Sequence, residues 1–135
     1  MALRPGLPFA VVVALVLTAC STGASGSVAS SHAGTGLADS SSGVCQAIVA
    51  LPDVAAAERI FTNVAHEALH SLAAAPGLDR QLAAGVLEAM QKVEADFGQS
   101  QSPDVVALTS DLTSLHESAD RALVSIGETA PPCAR

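Results

Sequence analysis

The sequence predicts an all-α protein, a small antiparallel bundle built from one short helix and three longer ones. Three observations carry this. From Val44 onward, apolar residues recur at steps of three and four, the period of a helix face, and no segment alternates with the period of two that a half-buried strand requires. Breakers divide that stretch into helix-sized pieces: Pro76-Gly77, then Gly98 through Pro103, then Gly127. The links between the pieces are short, which favours antiparallel neighbours.

The N-terminal residues stand apart from this pattern. Arg4 is followed by an apolar run from Phe9 to Leu17. That is far short of the roughly 20 residues a membrane-spanning helix needs, and it suits the core of a secretion signal. The run ends in Leu17-Thr18-Ala19-Cys20. These residues resemble the lipobox of bacterial lipoproteins, in which a Leu and two small residues precede an obligatory Cys. The resemblance implies that residues 1–19 are a cleaved signal peptide. It also implies that Cys20 is acylated, with palmitate-like chains, and begins the mature protein as a lipid anchor on the extracytoplasmic face of a cell membrane. The Ala-rich, Lys-poor composition is similar to that of small actinobacterial lipoproteins. With Cys20 consumed by lipid, Cys45 and Cys133 remain, an even pair in a chain bound for an oxidising compartment. The expectation that follows is a Cys45–Cys133 disulfide. Closing a loop of about 90 residues contributes about 4–5 kcal/mol in the chain-entropy view.

Residues 21–43 are Ser, Gly and Ala with little to bury, and read as a disordered tether following the lipidated Cys20. A flexible segment of that length reaches about 25–29 Å. The helical domain is then residues 44–135. Its first piece, VCQAIVAL at 44–51, reads as a short helix that turns at Pro52. Val54, Ala57, Phe61, Val64, Ala68 and Leu72 form the stripe of a helix from about Asp53 to Ala74. Leu82, Val86, Ala89, Val93 and Phe97 form the stripe of the next, with Asp79 as N-cap and Gly98 as the stop. The last opens with Ser102 as N-cap and Pro103 at its first position, and carries Val105, Leu108, Leu112, Leu115, Ala119, Leu123 and Ile126 to Gly127. Three antiparallel passes would leave Cys45 and Cys133 roughly 30 Å apart. The turn at Pro52 and an extended Pro131-Pro132 tail running back along the bundle close that gap.

Charge and composition exclude several functions. The chain has thirteen acidic and six basic residues, a net charge of −7, and loses Arg4 with the leader. That argues against nucleic acid as a partner and against an electrostatic grip on anionic lipid, so the covalent lipid supplies the membrane attachment. Trp and Tyr are absent, and Phe61 and Phe97 are the aromatics left beyond the leader. There is no P-loop, no G-x-S-x-G elbow and no C-x-x-C.

One motif remains. His66, Glu67 and His70 spell H-E-x-x-H, which resembles the zincin active-site helix, where two His bind zinc and the Glu acts as general base. The further ligand is lacking in the expected places. The positions that a metzincin would fill with Gly and His hold Ala73 and Pro76. Glu88 follows His70 at about the gluzincin spacing, but points about 145° away from its own apolar stripe. His66 and His70 lie about 160–200° from theirs, toward water. The motif therefore reads as an incidental solvated helix face, and no cofactor is expected. The expectation is a lipid-anchored, non-catalytic interaction module of the cell envelope, whose partner is another envelope protein. The alternatives are an envelope metal binder using His66 and His70 (with Glu88 as a third donor), or a zinc peptidase with Glu67 as base.

Overall fold

The computed structural model describes residues 32–99 and 104–133. The leader, Cys20 and the tether up to residue 31 lie outside the described residues, as do Ser102 and Pro103. The described chain is all-α. Helix α1 spans His32–Ala50, and α2 spans Val54–Ile60. A π-helical turn, Phe61–Ala65, joins α2 to α3, His66–Ala73, in one continuous rod. Helix α4 spans Arg80–Phe97 and α5 spans Val105–Ser125. The chain reverses after α1 at Leu51-Pro52, a cis peptide bond. With short links throughout, the α1, α2–α3, α4 and α5 passes alternate in direction.

The starts and stops follow from local chemistry. Asp53, Asp79 and Asp104 each turn a carboxylate onto the free amides of the helix they precede: Asp53 on Ala56, Asp79 on Gln81 and Leu82, Asp104 on Val106 and Ala107. The cap of the last helix is thus Asp104 and not Ser102, and the helix begins at Val105 rather than Pro103. At the other end of α5, Gly127 takes φ +83°, the Glu128 amide reaches the Leu123 carbonyl and the Gly127 amide reaches that of Val124. This is the Schellman arrangement, which a glycine accommodates without strain.

The first helix departs from expectation. It is 19 residues long, not short, and its N-terminal half consists of residues assigned to the tether. Helix propensity alone would not order this Ser- and Gly-rich segment. Tertiary contact does. Ser40 and Ser41 are fully buried, and Ser40 turns its hydroxyl onto the Leu37 carbonyl. Gly43 lies so close to the π turn that an added Cβ would stand 2.9 Å from the Ala65 nitrogen and 3.0 Å from its Cα. Small residues here are an intimate packing surface. The tether boundary at residue 43 is therefore corrected: residues 36–43 belong to the folded domain.

The π turn also rotates the core face of the rod. The His66 amide reaches back five residues to the Phe61 carbonyl, so the rod gains roughly one residue of phase. Ala57, Phe61, Ala68 and Leu72 are buried as expected, but Ala65 and Leu69 are buried beside them, and Val64 is only half-buried. Ala57, Phe61, Ala65, Leu69 and Leu72 join Val44 and Ala47 of α1, Val86, Met90 and Val93 of α4, and Leu108, Leu112, Leu115 and Leu123 of α5 in a single core.

The disulfide joins Cys45 to Cys133, with 5.4 Å between the Cα atoms. With four alternating passes, the end of α5 lies level with the start of α1. Cys45 is about 20 Å along α1 at 1.5 Å per residue. The non-helical tail after Ile126 is long enough to cover about that distance when extended.

The two kinds of glycine predict opposite outcomes. Gly43→Ala forces a Cβ into the Ala65 backbone and is expected to destabilise by about 1–3 kcal/mol. Gly85, inside α4, has nothing within 4 Å of its would-be Cβ, so Gly85→Ala is expected to stabilise by about 0.5–1 kcal/mol. Urea unfolding of the two variants beside the parent measures both signs.

Candidate functional site

The H-E-x-x-H residues fall just beyond the π turn, and the turn decides where each one goes. His70 is exposed, as the sequence predicts. His66 is not simply turned to water. Its side chain is 37% exposed, and its Nε2 bonds the Oε1 of Glu94 on α4 at 2.8 Å. The ring packs edge-on against Phe61, centroids 6.1 Å apart, and against His70, centroids 4.9 Å apart. Phe61 in turn packs on Phe97, 5.6 Å between centroids, so both phenylalanines of the domain and two of its histidines form one cluster. Glu58, Thr62, His66, Glu94 and Phe97 line a small cleft of about 230 Å³ there.

Glu88, the proposed third donor, does not join this cluster. It is 72% exposed and pairs with Lys92 on its own helix at 3.3 Å. The carboxylate that reaches His66 is Glu94, six residues on. The sequence concealed it because Val64-Ala65 and Ala68-Leu69 are both apolar pairs, which allow either of two phases for the rod. Glu67 is separated from the histidine cluster as well. It lines a different groove, against α1, with Leu37, Asp39 and Ser71. A zincin base must stand over the metal-bound water, and here Glu67 and the His66 ring line separate grooves. Among the described residues, no three His, Cys, Asp or Glu side chains converge as a set able to hold a metal ion.

A second polar cluster lies between α1 and α5. Asp120 of α5 is half-buried. Ser41 donates its hydroxyl proton to Asp120 Oδ1 and lies 3.1 Å from His116 Nδ1. A hydroxyl has one proton, so Nδ1 of His116 is the donor in that contact. His116 Nε2 is 3.6 Å from Asp120 Oδ2. Serine, histidine and aspartate do meet here, but not as a nucleophile relay. In such a relay the imidazole stands between the hydroxyl and the acid. Here the serine contacts both, is fully buried, and gives its proton to the carboxylate. The cluster fastens α1 to α5, and His116 is committed to it, apart from His66 and His70.

Asp96 and Asp111 face one another where α4 meets α5. Partial burial, first, and then the facing Asp111 carboxyl and the charge of Asp104, raise the Asp96 pKa above its ordinary value of 3.8. Its Oδ2 is buried and has no hydrogen-bond partner, while Oδ1 accepts from Gln99. A proton on Asp96, donated to Asp111, satisfies both groups. Asp96 also sits in the last turn of α4, where a negative charge opposes the helix dipole.

The third feature is an apolar groove of about 460 Å³ beside the disulfide. Cys45, Val49 and Ala50 of α1, Ile60 of α2 and Pro132 of the tail line it, with Ser42 and Gln46 at its edge. Val49 is 55% exposed. Among the described residues, no ionisable side chain lines this groove.

Comparison with known protein families, curated proteins and solved structures finds no match to this chain.

The raised pKa of Asp96 fixes the sign of a pH effect. The folded protein holds this proton more tightly than the unfolded chain does, so the ionised pair weakens the fold at neutral pH. That penalty disappears as pH falls through the raised value toward 3.8. Asp96→Asn is therefore expected to raise Tm at pH 7, with the gain shrinking toward zero near about pH 4. Thermal melts of parent and variant across that range test this.

Proposed function

We propose that this chain is a lipid-anchored extracytoplasmic interaction module without catalytic activity, held to a cell membrane through acylated Cys20. The carrying observation is the pairing of Cys45 with Cys133, which leaves Cys20 as the unmatched cysteine at the end of the leader. A disulfide of this kind persists in oxidising compartments, and the Leu17-Thr18-Ala19-Cys20 stretch gives the remaining thiol a use there. No described helix is long and apolar enough to cross a membrane, so in this reading attachment falls to the lipid.

The surface offered to a partner is the apolar groove at the disulfide, with Val49 at its mouth. A groove of this size takes one or two aliphatic side chains from another envelope protein. The described lining residues carry no charge, so their desolvation is cheap. The Ser41–His116–Asp120 cluster, by contrast, is spent on holding α1 to α5.

Two measurements test this reading. Mass spectrometry of the native protein is expected to show an N-terminus at Cys20 carrying acyl chains, and Cys20→Ala is expected to move the protein out of the membrane fraction. An intact leader, or an unmodified Cys20 in the native protein, would sink the proposal. For the surface, Val49→Asp is expected to abolish crosslinks to an envelope partner while leaving the unfolding midpoint nearly unchanged, because exposed positions tolerate substitution within about 0.5 kcal/mol. Crosslinks that persist in Val49→Asp would remove the groove from the interface.

A further inference from the structure

We infer that His66 and His70 form a two-imidazole chelate for a borderline divalent cation of the Cu²⁺, Ni²⁺ or Zn²⁺ kind, with Glu94 as the residue that positions His66. This concerns a different face from the apolar groove and does not depend on the lipid anchor.

The geometry comes first. A metal–nitrogen bond of about 2.0–2.1 Å puts each imidazole centre about 3.2 Å from the ion. Two such centres separated by the 4.9 Å seen between His66 and His70 subtend about 100° at the metal, close to the tetrahedral angle. His70 is exposed and free to turn about its ring torsion, so aiming its lone pair costs little.

Glu94 supplies the second observation. A metal-bound histidine commonly gives its other ring N–H to a carboxylate, which fixes the tautomer and makes the ligating nitrogen more basic. His66 already has that arrangement: Nε2 faces Glu94 Oε1 at 2.8 Å. The bond assigns the proton to Nε2 and leaves the lone pair on Nδ1 for the ion. The packing of His66 against Phe61 holds the ring in place. The π turn makes all of this possible, because it brings His66 round to α4.

Two protein nitrogens leave the remaining coordination positions to water, so the ion is exchangeable and solvent-accessible. Glu67, turned into the groove against α1, does not stand over that water. The site is therefore a binding site, with no peptidase role derived for it. By the general order of divalent affinities, Cu²⁺ binds it most tightly.

The test uses the full chain without a histidine tag. Cu²⁺ and Zn²⁺ are titrated by calorimetry, and Cu²⁺-loaded protein is examined by electron paramagnetic resonance. One Cu²⁺ per chain with two nitrogen donors is expected. His70→Ala is expected to remove it, and Glu94→Ala to weaken it by about 10-fold or more, the usual effect of losing an outer-shell partner. Glu94→Gln keeps an acceptor for Nε2–H and is expected to retain part of that affinity. Circular dichroism of each variant checks that the fold is intact. Binding that survives in the His66→Ala/His70→Ala double variant, or a spectrum with one nitrogen donor, overturns the chelate. Unchanged affinity in Glu94→Ala overturns the positioning role of Glu94.

Discussion

The close approach of Gly43 to Ala65 governs much of this structure. It is backbone against backbone, with no room for a side chain on the α1 side. That contact brings α1 down onto the rod at its π turn. Two residues before Gly43, Ser41 reaches His116 and Asp120 of α5, and two residues after it, Cys45 reaches the tail. One short stretch of α1 thus joins the rod, the last helix and the C-terminal segment. Glycine is a poor helix residue in isolation. Here its missing Cβ is what lets the neighbouring serine and cysteine arrive at their partners.

The π turn has a comparable reach. A regular helix from Val54 to Ala73 would keep the expected stripe facing inward and both histidines outward. The extra residue of phase brings Ala65 and Leu69 into the core and His66 against α4. The same local irregularity therefore serves packing and polar chemistry: it offers Gly43 a small residue to lie against and gives Glu94 a partner. Glu67, one step further round the same helix, lines a separate groove against α1.

Much of the fold was legible beforehand because its signals are local. Asp79 as N-cap, Gly127 as terminator, the α5 stripe of Leu108, Leu112, Leu115 and Leu123, and the Cys45–Cys133 pairing all depend on a few neighbouring residues or on simple parity. What was not legible depends on tertiary contact. Residues 36–43 look like linker because Ser and Gly have low helix propensity, and only the opposing helix shows why small residues are needed. Met90 was missing from the expected stripe, since a helical wheel shows one face per helix and not which neighbours flank it. Of the histidine cluster, His66 and His70 could be named and Glu94 could not, because its place depends on a phase shift that the apolar pairs 64–65 and 68–69 conceal.

The covalent ring closed by Cys45 and Cys133 encloses the rod, α4 and α5, and leaves most of α1 outside it. This has a mechanical consequence. A pull applied at the N-terminus can peel α1 only as far as Cys45. Beyond that point the load crosses the sulfur–sulfur bond into the C-terminal tail, and the chain looped between the two cysteines is spared the tension. A molecule hauled by its leading end would yield in the serine-rich turns of α1 and keep the rest of its bundle slack.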